Sequence, residues 1–281
     1  DLYLPKSWDQ DRDRCNRAGI PEQITYRPNW KIAIEQVKRT MAQGLRFDYV
    51  TYDEEYGKVP EFIFELDGIG QKAIGEVPAN FRVWAKKPAC KSNRAEHASH
   101  RVDKIASHSP AFYGQSWQKM VIKDTTRGKC IWYVKAAQVY LVEHKDGKSY
   151  CPVPTDRTYW LIVAHNRQTG EMKYFVSNAP AKEKLETLME IAFCRWHVEK
   201  WFERAKQECG FGAFEVRTYT SLIRHWLASR LAMYFLADQT TRLRGEKSEN
   251  NFGAGSRCSQ YAGMEDMAEV SLFMEAESVC V

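Results

Sequence analysis

Two hydrophobic periods alternate along this 281-residue sequence, and that alternation most narrows what it can fold into. Apolar residues at Ile32, Ile34, Val37 and Met41, closed by Gly44, predict an amphipathic helix over residues 30–43. Asp48-Tyr-Val-Thr-Tyr-Asp53 follows as a short β-rich run that ends in a carboxylate. Glu54-Glu-Tyr-Gly57 reads as a turn leaving that strand, residues 59–66 as a short helix, and residues 72–77 as a second strand closed by Pro78. A strand ending in an acid after a helix is where α/β folds place functional side chains. An α/β class follows.

From about residue 79 to 180 the pattern changes. Residues 86–129 are charged and His-rich with little period. Strand-like runs then span 131–143, 158–166 and 172–177, and Lys145-Asp-Gly-Lys and Gln168-Thr-Gly-Glu have hairpin-turn composition. The expectation is a β-rich insertion over 79–180 that interrupts a core made of 1–78 and 181–238. Leu185, Leu188, Met189, Ala192, Trp196 and Phe202 keep a helical period up to Gly210. A further helix over 221–237 is expected to bury Leu222, Ile223, Trp226, Leu227, Leu231, Tyr234 and Phe235. Residues 239–281 are expected to be a poorly ordered acidic tail.

Residues 195–206, Arg-Trp-His-Val-Glu-Lys-Trp-Phe-Glu-Arg-Ala-Lys, carry the densest chemistry. At about 100° per helical residue, Glu199 lies about 40° round from Arg195, and Lys206 about 20° from Glu199. A carboxylate beside fixed cations stays ionised, which is the state a hard, oxygen-loving metal needs. The cations are placed to meet phosphate. The same spacing is also the ordinary pattern of a solvated salt-bridge face.

Charge is uneven. The chain carries +5 overall, yet from Ser248 onward six acids face one base, so the first 247 residues hold +10. A basic body suits a polyanionic partner, most simply nucleic acid. Eight scattered Cys with no C-x-x-C pair fit reduced thiols rather than a disulfide framework or zinc ribbon. His97, His100 and His108 lack companions at metal-ligand spacing. No apolar run reaches bilayer length. The opening Asp1-Leu-Tyr-Leu-Pro5 has neither Met nor signal-peptide blocks and is read as the inside of a longer polypeptide.

Several motifs, in order, carry a resemblance. Leu2-Tyr-Leu-Pro-Lys-Ser-Trp8, Ala18-Gly-Ile-Pro21, Val50-Thr-Tyr-Asp53-Glu-Glu-Tyr-Gly57, Arg195-Trp-His-Val-Glu199 with Lys206, and Phe214-Glu-Val-Arg217 with Arg224-His225 resemble the bacterial insertion-sequence transposases with a DDE catalytic domain, in the branch numbered seven hundred and one. The signature Y-x2-R-x3-E-x6-K is met at Arg195, Glu199 and Lys206, with Ala192 in the Tyr position. The resemblance spans residues 2 to about 237.

The resemblance implies a ribonuclease-H-like mixed sheet flanked by helices. It makes Asp53 the second acid of the triad and Glu199 the third, both ligands of Mg²⁺ or Mn²⁺, with two ions in an intact member. Arg195 and Lys206 become phosphate binders near the cleaved strand. Arg217, Arg224 and His225 either continue that phosphate track or make ordinary ion pairs. The partners implied are the DNA of the element's terminal inverted repeats and target DNA, with a homodimer in a synaptic complex, no membrane, and a bacterial, nucleoid-associated location. The first acid of the pattern precedes the Leu-Tyr-Leu-Pro segment, and Asp1, Asp9, Asp11 and Asp13 stand in the wrong context for it. The expectation is therefore a transposase lacking its leading strands, catalysing DNA strand cleavage and transfer or inactive for want of that acid. Two alternatives are a non-catalytic DNA-binding remnant and a metal-dependent nuclease without strand transfer.

Overall fold

The computed structural model describes residues 1–91, 94–125, 128–144 and 152–250. Their helices are α1 (Lys6–Asp9), α2 (Arg12–Arg17), α3 (Asn29–Ala42), α4 (Glu54–Gly57), α5 (Pro60–Gly68), α6 (Val102–His108), α7 (Pro110–Tyr113), α8 (Leu185–Cys194), α9 (Trp196–Cys209) and α10 (Tyr219–Asn250). The strands are β1 (Val50–Tyr52), β2 (Ala73–Val77), β3 (Arg82–Trp84), β4 (Cys90–Lys91), β5 (Arg94–Ala95), β6 (His100–Arg101), β7 (Gln118–Thr125), β8 (Gly128–His144), β9 (Pro152–Pro154), β10 (Tyr159–His165) and β11 (Met172–Ser177). Chain contacts divide the molecule into a sheet unit, Phe47–Arg195, and a helical unit made of Asp1–Arg46 and the chain from Trp196.

In the sheet unit the strand order is β1-β2-β11-β10-β8-β3-β6, with β7 and β9 also paired to the long β8. β1 and β2 run parallel and the remaining pairs antiparallel, so the sheet is mixed. The strands expected as an insertion build directly onto β2 through β11. The compact units accordingly divide at 46/47 and 195/196, where the sequence pattern places its changes at 78/79 and 180/181. Backbone hydrogen bonding joins β11 to β2 whatever the composition between them.

Side chains alternate across the sheet. Ile74, Ile162, Ala164 and Phe175 face α8, whose Leu188, Met189 and Ala192 close that side of the core. Each fully buried Leu or Met contributes about 1.5–3 kcal/mol. Ala192, in the Tyr position of the signature, is thus a core residue. On the β1–β2 side, Tyr52 packs edge-on to Phe62 of α5 at 5.4 Å and its hydroxyl donates to the Val176 carbonyl. The Gln168-Thr-Gly-Glu turn joins β10 to β11, with Gly170 at φ +76° and its N–H donating to the Asn166 carbonyl. Lys145-Asp-Gly-Lys lies outside the described residues.

Asn178, just past β11, ties the sheet to α5. Its Oδ1 accepts from the buried Ala73 N–H at 2.7 Å, and its Nδ2 donates to the Gln71 carbonyl at 2.9 Å and to Asp67 at 3.1 Å. Asp67 also accepts from Arg157 and from the Tyr159 hydroxyl. Asn178→Ala orphans the Ala73 N–H in a dry site. A loss of about 2–3 kcal/mol is expected, read as a lower urea midpoint at unchanged slope.

In the helical unit, Leu4, Cys15 and Ile20 form a small core with Trp8, Ala18 and Tyr219 around it. The Tyr219 N–H donates to the Ala18 carbonyl, tying α10 to the end of α2. Trp201, Ala205 and Met233 make a second core, joined by Phe202, Cys209 and Phe211.

Three expectations are corrected. The single helix over 185–210 is two, α8 and α9, interrupted at Arg195, whose φ −51° and ψ −29° keep the local turn while the helical ladder breaks. The helix expected over 221–237 runs to Asn250, so residues 239–250 are helical rather than tail. No Pro stops it, and Arg242 pairs with Asp238 one turn back at 3.0 Å. Residues 251–281 lie outside the described residues. Finally, α10 buries Ser229, Met233, Ala237 and Thr240, while Ile223, Leu227, Leu231, Tyr234 and Phe235 are exposed. A helix apolar on two sides shows its period in sequence but not which side meets the core.

Candidate active site

Asp53 closes β1 at its C-terminal end, where the strand gives way to the single-turn α4. It is the N-cap of that turn: its Oδ1 accepts from the Glu55 N–H at 3.0 Å and the Tyr56 N–H at 3.3 Å. An Asp ahead of Glu54 and Glu55 is a helix-start pattern, so this role was readable from sequence although the segment was expected to be only a turn. The cap holds the carboxylate in a fixed direction. Among the described residues Oδ2 accepts no hydrogen bond, and the side chain is half-buried. One oxygen is anchored and the other available, which fits a hard divalent cation at Asp53.

The neighbouring residues have other work. Glu55 is exposed and pairs with Lys58 at 2.6 Å, and Glu54 is exposed. Gly57 is buried and has no left-handed φ. A Cβ there would stand 1.9 Å from the Glu76 carbonyl oxygen of β2, so Gly57 lets α4 lie against the sheet rather than merely turning the chain. Across the sheet from it, Glu76 is held by Lys173 of β11 at 2.8 Å.

Glu199 and Lys206 are exposed on α9. Seven residues apart, they share a flank within about 20° but stand about 10 Å apart along the axis. The Lys206 ammonium is directed at the Phe202 ring, 5.9 Å from its centroid. Two solvated ion pairs of this helix are Lys200–Glu203 at 2.8 Å and Arg204–Glu208 at 3.3 Å. The Lys200 hydrogen bond holds the Glu203 carboxyl below its usual range. Arg195, half-buried, sits in the interruption before α9, so the 40° relation to Glu199 crosses a break in the helix.

Trp201 is in the core against Phe202 and Phe211, whereas Trp196 is exposed with Lys200 over its ring at 5.0 Å. Arg217 and Arg224 are exposed. Nε2 of His225 lies 2.9 Å from the Gly210 carbonyl and its ring packs on Phe214, which gives this residue a structural post at the turn after α9. Arg217 lines a groove of about 260 Å³ walled by Leu2, Trp8, Ile20, Phe214 and Leu222, so three of the family-like motifs meet there.

Asp53 belongs to the sheet unit and Glu199 to the helical unit. Among the described residues no group of three or more His, Cys, Asp or Glu side chains is arranged to hold a metal, and no helix is long and apolar enough to cross a membrane.

Residues 1–135 match the family described as DDE superfamily endonuclease. The matched segment contains α1 to α7 and the parallel pair carrying Asp53, and it supports a DDE-type endonuclease or transposase domain. The mixed sheet with flanking helices is consistent with a ribonuclease-H-like domain of that kind. Such a domain acts on DNA and generally uses divalent metal ions. No curated protein matches the chain.

Proposed function

We propose that this chain performs metal-dependent phosphoryl transfer on DNA, as the strand-cleaving and strand-joining enzyme of an insertion sequence. The observation that carries the reading is Asp53: inside the matched segment, at the end of a parallel strand, with Oδ1 fixed by two backbone N–H groups and Oδ2 uncommitted. Asp53 and Glu199 are the ligands of Mg²⁺ or Mn²⁺ in this proposal. The ion, when bound, lowers the pKa of a water or hydroxyl and neutralises charge at the phosphorus. Arg195 and Lys206 bind the phosphates flanking the scissile bond, with Arg217 and Arg224 further along the strand. The division into a core over 1–78 and 181–238 and an insertion over 79–180 belongs to the same proposal.

The test is nicking and joining of DNA bearing the element's terminal repeats, with Mg²⁺ or Mn²⁺, by the chain and by Glu199→Gln. Metal-dependent nicking lost in Glu199→Gln is the expected result. Cleavage that persists in that variant rejects the site. Joined products separate a transposase from a plain nuclease.

One observation favours a second reading, a DNA-binding protein without cleavage: only two acids are assigned to the site, and no three-acid cluster stands among the described residues. Salt-dependent DNA binding with no metal-dependent nicking identifies that case.

A further inference from the structure

We propose that one face of the sheet unit is a stacking surface for single-stranded DNA, built on a cross-strand row of Lys119, Tyr133, His165 and Met172. The inference rests on the proposed function in one respect only, that the partner is DNA. Its first support is strand register. Tyr133 of β8 stands opposite Lys119 of β7 on one side and opposite His165 of β10 on the other. His165 in turn stands opposite Met172 of β11. All three pairings are antiparallel and in register, so four strands each place one of these residues on the same face. At about 4.8 Å per strand the row is about 14 Å wide.

The row lies where the cover on this face ends. Two residues along the strands, the facing pair Lys135 and Val163 is buried, at 8% and 1% exposure. The Lys135 ammonium donates there to the Phe112 carbonyl of α7 at 2.8 Å. In the row itself Tyr133 and His165 are half-buried, Lys119 is exposed and Met172 is 39% exposed. Val121, two residues beyond Lys119 on β7, is 49% exposed. The face is therefore closed as far as Lys135 and open from Tyr133 onward.

The side chains select the ligand class. Arg167, exposed just past β10, lies over the Tyr133 ring at 3.8 Å. The Trp117 and His165 rings are 5.9 Å apart, and the Lys135 ammonium stands 4.8 Å from the Trp117 centroid. Lys135 is buried and Trp117 only half so, which sets the indole between the ammonium and solvent. Aromatic rings and a planar guanidinium are the surfaces on which unpaired bases stack, and the cations interleaved with them meet the phosphates. Glu171, beside Met172, is paired with Lys173 at 3.4 Å. A duplex suits the row poorly, because its bases already stack on one another and offer no face to a ring.

Titration of a single-stranded oligonucleotide of about 16 nucleotides that carries a 2-aminopurine, with the full chain and no divalent metal, tests this. Binding with quenched fluorescence, the mark of a stacked base, is expected. Tyr133→Ala should weaken binding at least about fivefold and remove most of the quenching, while Tyr133→Phe should keep both. Arg167→Lys keeps the charge without the plane, so affinity should hold within about threefold while part of the quenching is lost. Duplex binding should stay within about twofold of the parent in all these variants, which also reports an intact fold. Quenching that persists in Tyr133→Ala, or an equal loss on single strand and duplex, overturns the proposal. A parent chain that binds neither form refutes the DNA reading, and this surface with it.

Discussion

Asp53→Asn is expected to leave the melting temperature within about 2 °C of the parent while removing metal-dependent nicking and weakening Mn²⁺ binding at least about tenfold. The two effects separate because the carboxylate has two jobs on two oxygens. Oδ1 caps α4 by accepting from Glu55 and Tyr56, and an Asn amide oxygen caps about as well as Asp. What Asn lacks is the negative charge that a hard cation requires. Asp53→Ala loses the cap as well and should cost about a further 1 kcal/mol. Mn²⁺ titration followed by electron paramagnetic resonance reads the metal directly, without needing turnover. Undiminished Mn²⁺ binding in Asp53→Asn would remove this residue from the proposed site.

Gly57→Ala is expected to be among the most damaging single-methyl additions in the sheet unit, at about 3 kcal/mol or more. The added carbon would meet the Glu76 oxygen at 1.9 Å and the Glu76 carbonyl carbon at 2.9 Å. The obstacle is backbone, not a side chain that can swing away. β2 is held by β1 on one edge and β11 on the other, so it has no direction in which to retreat. Gly68 supplies the control: a Cβ there meets nothing within 4 Å and its φ is not left-handed. Gly68→Ala should therefore be neutral or stabilising by up to about 1 kcal/mol. Equal urea midpoints for the two variants would show that α4 does not press on β2 as described.

Much of the element order was legible before the structure. The helix over 30–43 and the strands at 48–53, 72–77, 158–166 and 172–177 appear as α3, β1, β2, β10 and β11 with shifted ends. Each is signalled locally, by a 3.6-residue or two-residue apolar period and a Gly or Pro stop. Asp53 at a strand end was legible for the same reason. Gly57 was read as a turn residue because a sequence displays a glycine's freedom, whereas its use here is a close approach to a strand nineteen residues on. Arg195 was read as mid-helix because nothing in its side chain announces that the ladder breaks there.

The sequence by itself determined the alternation of helix and strand, the basic body and the acids at Asp53 and Glu199, since these follow from local period, charge count and residue type. Only the tertiary structure decided that β11 docks on β2, that the unit boundaries fall beside residues 46 and 195, and that α10 turns its small-residue side inward and its Leu and aromatic side out. The reason is that strand pairing and the choice between two apolar faces are settled by which distant surfaces fit, and a linear pattern carries no record of that fit.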